Sequence, residues 1–124
     1  MSRVYLFRVE QIFPYPRFKD FWINVYACKI GLVESDDPPA MKKRISTCQS
    51  NCPWKVSLDG CSGSMSLKHA EASEDYYRDR FWREHIHGDW FAIRPERLNK
   101  LKNEIMIAHT LTERLTYTLN FLEA

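Results

Sequence analysis

The chain has no apolar run near the ~20 residues that a membrane-spanning helix needs, so no segment reads as a bilayer span. It carries no secretory signal pattern either. The opening MSRVYLFRVE has charges inside its apolar stretch and no cleavage site. There is no internal repeat and no low-complexity segment. A cytoplasmic, intracellular location without membrane contact is the expectation. The four cysteines, Cys28, Cys48, Cys52 and Cys61, are then expected as thiols rather than disulfides. Net charge is small too. A balance of +2 permits a nucleic-acid partner without demanding one, and any basic surface must be local.

What is present suits one soluble domain. The length is 124 residues, with 44% apolar and 27% charged residues, and aromatics at 14% supply material for a core. Residues 2–9 alternate and are rich in β-formers, which predicts a strand. Residues 10–20 hold Pro14 and Pro16 and read as a loop. Residues 21–33, FWINVYACKIGLV, read as a long buried strand. The acids and prolines of ESDDPP predict a helix start, and a helix over about 39–49 puts Met41, Ile45 and Cys48 on one face. WKVSL at 54–58 reads as a short strand and DGCSGS at 59–64 as a turn. A second helix is expected over about 66–84, HIHGD as a loop, WFAI at 90–93 as a strand, and a final helix from Pro95 to about Leu122. The sum is an α+β fold with a small, mixed or antiparallel, three-stranded sheet flanked by helices. Residues 1–93 would form the domain. Residues 94–124 would form an amphipathic helix, with Leu98, Leu101, Ile105, Ala108, Leu115, Leu119 and Leu122 packed on that domain or paired in a homodimer.

Four residues sit oddly in this pattern. On the second helix Ala70, Glu74, Tyr77 and Phe81 share the inward stripe, while Glu71, Asp75 and Arg78 fall on the outer side. A carboxylate on an inward face needs a partner, whether an ion pair, a network or a metal. Lys29 lies on the strand face of Ile23, Val25 and Ala27, either snorkelling to solvent or serving a site. Arg44 flanks the inner stripe of its helix within KKR, where a solvated charge is the plain alternative. Tyr5 shares a strand face with Phe7, where cross-strand packing is the plain alternative. Cys48-x₃-Cys52, with Cys61 and His69, lacks the spacing of paired zinc knuckles. His85-Ile86-His87 likewise reads as loop rather than metal site.

In order along the chain, these residues resemble the GIY-YIG endonuclease superfamily, in the branch common in phage proteins whose second tripeptide reads KIG. RVY ending at Tyr5 stands where GIY stands, and Lys29-Ile30-Gly31 is the KIG. Arg44 in MKKRI matches the helix arginine, and QSNCP at Gln49 to Pro53 resembles the QTGNP run. Ala70, Glu74, Tyr77, Arg78 and Phe81 fall on A-x-x-x-E-x-x-L-H-x-x-F, with Arg78 where the histidine stands. His85, Gly88, Asp89, Trp90 and Phe91 fall on R-x-x-G-E-W-F. RVY lacks the first glycine of GIY, and the stretch from Gly31 to Arg44 is longer than usual in the family.

The resemblance implies a metal-dependent endonuclease that hydrolyses phosphodiester bonds in double-stranded or branched DNA, in a host cytoplasm if phage-encoded. Tyr5, Lys29, Arg44 and Glu74 would be catalytic, with Glu74 holding Mg²⁺ or Mn²⁺. Lys42, Lys43, Arg78 and Arg80 would contact phosphates, and Gly31, Gly88 and Trp90 would be structural positions of the motif. Lys29 is open to two roles, a base or a fixed positive charge. The alternative is a module without catalysis that keeps the fold and binds nucleic acid or protein.

Overall fold

The run Val4-Tyr5-Leu6-Phe7 offers no polar position to turn toward water, and both faces of its strand are buried. In the computed structural model, which describes residues 1–18 and 21–107, this run lies in β1 (Arg3–Phe18). β2 (Phe21–Val33) returns antiparallel beside it, pairing Val33 with Arg3 and Phe21 with Phe18. α1 (Pro38–Ser50) follows, and then β3 (Val56–Cys61) lies antiparallel on the other edge of β1, opposite Tyr5 to Val9. α2 (Leu67–Arg80) and a 3-10 turn (Trp82–Glu84) lead to the short strands β4 (His85–His87) and β5 (Trp90–Ile93). β5 adds to β2 through Tyr26–Ile93 and Lys29–Trp90, giving the sheet order β3-β1-β2-β5-β4, antiparallel throughout. Residues 95–107 are helical.

Helices cover both faces of the sheet. On one face Val4, Leu6, Cys28 and Ile30 meet Ala70, Tyr77 and Phe81 of α2, together with Leu98, Leu101 and Ile105. On the other, Tyr5, Phe7 and Val9 meet Cys48, with Met41 and Ile45 of α1 closing over them. The α1 stripe therefore packs as its spacing predicts. Ion pairs fasten the end of α2 and the 3-10 turn after it: Arg80 binds Glu104, and Arg97 donates to Glu84 at 2.7 Å. Among the described residues no helix is long and apolar enough to cross a membrane. The four cysteines are free, with Cys28 and Cys48 buried.

The α+β class holds, but the sheet has five strands rather than three. HIHGD is no loop. Gly88 takes a φ of +56°, which a glycine adopts without cost, and the Gly88-Asp89 turn folds β4 onto β5. Residues 10–18 are strand as well, despite Pro14 and Pro16. The pairing of β1 with β3 ends at Val9, with one more bond from the Glu10 amide to the Lys55 carbonyl, and among the described residues no strand pairs with that edge at Pro14 and Pro16, where a missing N–H can be tolerated. β3 begins later than WKVSL suggests and runs through Cys61, because Gln49 occupies the backbone just before it. α2 stops at Arg80, four residues short of expectation, where Phe81 turns into the core and the 3-10 turn takes over. At the entry to α1, Pro38 and Pro39 fill the first helical positions, but Asp37 makes no capping bond with its side chain. Ala108, Thr112, Leu115, Leu119 and Leu122, and the dimer pairing expected of them, lie outside the described residues.

Leu101 is 1% exposed and belongs to the same core as Phe81 and Ile93. Leu101→Ala is expected to destabilise the whole domain by about 2–5 kcal/mol. Urea unfolding would check this, and a loss under about 1 kcal/mol would mean that residues 95–107 hold no part of the core.

Candidate active site

Antiparallel pairing puts Tyr5 directly opposite Gly31. The approach is too close for any other residue: a Cβ on Gly31 would stand 2.4 Å from Tyr5 Oη and 2.6 Å from Cζ. The phenol lies across the backbone of β2 because Gly31 has no side chain. Phe7, two positions on, stacks on the Tyr5 ring with centroids 4.1 Å apart. Burial raises the pKa of the phenol above its usual value, so Tyr5 keeps its proton at neutral pH. Arg44 opposes that rise, Cys48 and Glu74 add to it, and Arg78 opposes it again. Two helices, α1 and α2, thus bring their charges to bear on one hydroxyl.

α1 delivers Arg44 and Cys48 from adjacent turns. Burial pushes the Cys48 thiol up, and Lys29 is the cation that pulls it down. Lys29 is half-buried on β2, opposite Phe7 on one side and Trp90 on the other. Arg44, Lys42 and Lys43 are exposed along α1. A cleft of about 410 Å³ opens beside Arg44, lined also by Lys43, Thr47, Glu34 and Ser35.

α2 delivers Glu74. Ser66 caps this helix by accepting a hydrogen bond from the His69 amide at 3.2 Å. The Glu74 side chain is 17% exposed, and Arg78 Nη1 donates to its Oε1 at 3.0 Å. Burial raises the Glu74 pKa above the ordinary glutamate value. Arg78 lowers it, Asp75 and Glu71 raise it, and Arg44 lowers it. Arg78 also pairs with Asp89, which the Gly88 turn presents to it. The sequence reading put Arg78 on the outer side of α2. It instead shares the face of Glu74, as residues four apart on a helix do, and its charge is spent within the domain. Arg80 is likewise engaged, by Glu104.

Tyr5, Arg44 and Glu74 therefore act electrostatically on one another, with Lys29 joined to them through Cys48. Two further residues matter that motif reading did not single out as functional. Asp89 forms the second half of the clamp on Arg78. Gln49 donates its amide N–H to the Trp54 carbonyl at 2.9 Å and accepts from the Val56 amide at 2.7 Å, so it fastens the loop between α1 and β3. The QSNCP segment was the available signal for Gln49. Among the described residues no group of three or more His, Cys, Asp or Glu gathers to hold a metal ion. No family model matches the chain, and no curated protein or solved structure matches it.

Gly31→Ala is expected to force the Tyr5 ring from its place. Overpacking of this kind costs about 1–3 kcal/mol, and a new Tyr5 ring environment in NMR or crystallographic comparison would register the displacement. An unmoved ring would contradict the contact. Arg78→Ala removes the strongest cation acting on Glu74. The Glu74 carboxyl is then expected to titrate at higher pH than in the wild type, as followed by carboxyl ¹³C NMR. A downward shift or none would mean that the pair does not govern Glu74.

Proposed function

We propose that the chain is a metal-dependent endonuclease of the GIY-YIG type, hydrolysing DNA phosphodiester bonds. The observation that carries this reading is the shared electrostatic neighbourhood of Tyr5, Arg44 and Glu74, with Lys29 beside it. Their elements also follow in the order that the resemblance implies: tyrosine on β1, KIG on β2, arginine on α1, glutamate on α2. A tyrosine, two cations and a carboxylate of raised pKa, carried by two strands and by the helices on either face of the sheet, suit a phosphate diester better than an uncharged substrate.

The donor set fits Mg²⁺ or Mn²⁺. Glu74 offers hard carboxylate oxygen, and a small divalent cation that keeps most of its waters needs few protein ligands. When bound, such a cation supplies Lewis-acid polarisation of the phosphate and a lowered pKa for a bound water. Glu74 would hold it once Oε1 is shared with or released by Arg78. Arg44 presents a fork of donors that gains strength as negative charge builds on the phosphate oxygens. Lys29 contributes fixed positive charge. The Tyr5 phenol, protonated at neutral pH, orients the attacking water through its hydroxyl rather than removing its proton. Lys42 and Lys43 steer the DNA backbone from α1.

The Arg78 clamp favours one second reading. With Glu74 and Asp89 both paired to it, the chain would be a nucleic-acid-binding module that no longer turns over.

Incubation with supercoiled and branched DNA in Mg²⁺ or Mn²⁺ separates the two. Nicking that EDTA stops, and that Glu74→Gln lowers by at least about 100-fold, is the expected result. Salt-sensitive binding without cleavage by folded wild-type protein would select the second reading. The proton competes with the metal for Glu74, so activity is expected to fall as pH drops through the raised pKa of that carboxyl. Its acid limb then lies above the range of an ordinary exposed glutamate.

A further inference from the structure

On the same sheet face as Lys29, an open groove of about 220 Å³ runs between Trp54, Phe13, Ala27 and Trp90, with Ile86 and His87 at its rim. Its lining is aromatic and aliphatic, yet Trp54 and Ile86 are each 45% exposed, and both lie outside the two core clusters. The groove is built rather than accidental. Gln49 holds the Trp54 carbonyl at 2.9 Å, and Phe13 meets the Trp54 ring edge-on at 4.9 Å. Trp90 is set by its pairing with Lys29 on β2. Asn51 and His87 place amide and imidazole groups at the edge of an otherwise apolar surface.

We propose that this groove is a nucleobase subsite, taking one unpaired base next to the phosphate held at Lys29. Size, lining and charge argue together for that occupant. The volume is below the ~300–1,000 Å³ of pockets that enclose whole small molecules, and it suits one planar heterocycle. Aromatic side chains take bases of any identity by stacking. Ala27 and Lys29 point to the same face two residues apart on β2, about 6.7 Å along the strand. That is the scale of the step from a phosphate to its own base. Lys29, paired with Trp90 and two residues from Ala27, supplies a cation beside the groove, which matches an anionic ligand with an aromatic part rather than an apolar peptide. A base can enter only when unstacked, so the preferred substrate carries single-stranded, branched or otherwise unpaired nucleotides at the cleavage point.

The proposal deepens the nuclease reading and is tested apart from it, by binding without turnover. Fluorescence anisotropy in EDTA would compare a labelled thymidine decanucleotide with an abasic decamer of equal phosphate number. The base-bearing strand is expected to bind about 5- to 100-fold tighter. Trp54→Ala and Ile86→Glu should each abolish that difference while leaving abasic affinity within about twofold. Trp54→Phe should keep it. Arg44→Ala should weaken both strands equally. Equal affinity of the wild type for the two strands, or a base preference untouched by Trp54→Ala, would overturn the subsite while leaving the nuclease reading intact. Absence of binding to either strand would also overturn the subsite, and the nuclease reading would still stand or fall by the cleavage assay on supercoiled and branched DNA. Circular dichroism of the variants separates misfolding from lost recognition, and both substituted side chains are half-exposed and outside the two core clusters.

Discussion

The close approach of the Tyr5 phenol to the backbone at Gly31 is the contact on which the rest of the site depends. It needs three things at once: a β1–β2 register that sets residue 5 against residue 31, a residue there with no Cβ, and a second ring, Phe7, to hold the phenol flat. Slip the register by one residue and every side chain of β1 changes face. The burial of Val4 and Leu6 against α2, and of Tyr5 and Phe7 toward α1, makes such a slip costly. The hydrophobic core thus enforces the geometry of a polar site to which it contributes Tyr5 itself.

Charge around this contact is balanced rather than merely concentrated. Burial works against the ionised forms of Tyr5, Cys48 and Glu74, and Arg44, Lys29 and Arg78 work the other way. Arg78 has a double allegiance, to Glu74 on its own helix and to Asp89 on the β4–β5 turn. That turn exists because Gly88 accepts a positive φ. One glycine therefore lets the phenol approach β2, and another brings a second carboxylate to the arginine that restrains Glu74. On the far side of Lys29, Gln49 and the β5 pairing set Trp54 and Trp90 around an aromatic groove. Lys29 and the aromatic groove so adjoin on the α1 face of the sheet, as a ligand with both characters would require.

Much of the element order was legible because apolar patterning and proline placement act locally. β2 and α1 fall close to their expected limits, and the Ala70–Tyr77–Phe81 stripe faces inward as its spacing demands. The failures have a common cause. Pro14 and Pro16 argue against a strand only when both edges are paired, and pairing is decided by where β3 stops. HIHGD is polar and short, so nothing local reveals that it adds a further strand, β4, to the edge of β5. Arg78 looked outward on a helix taken alone. The β4–β5 turn makes that direction an interior one by placing Asp89 there.

By itself, the sequence determined which residue types were available, where helices and the long second strand would form, and that Lys29, Gly31, Arg44 and Glu74 sat against the grain of their elements. Those properties come from side-chain chemistry and the 2.0 and 3.6 periodicities, which need no partner. Only the tertiary structure decided that Tyr5 lies on Gly31, that Arg78 holds Glu74 and Asp89 together, and that Phe13, Trp54 and Trp90 enclose a groove. Apart from the Arg78–Glu74 pair within α2, these are contacts between residues far apart in the chain. Strand register, the reach of β3 and the placement of two turns set them, and each of these follows from the packing of the whole sheet rather than from any stretch of it.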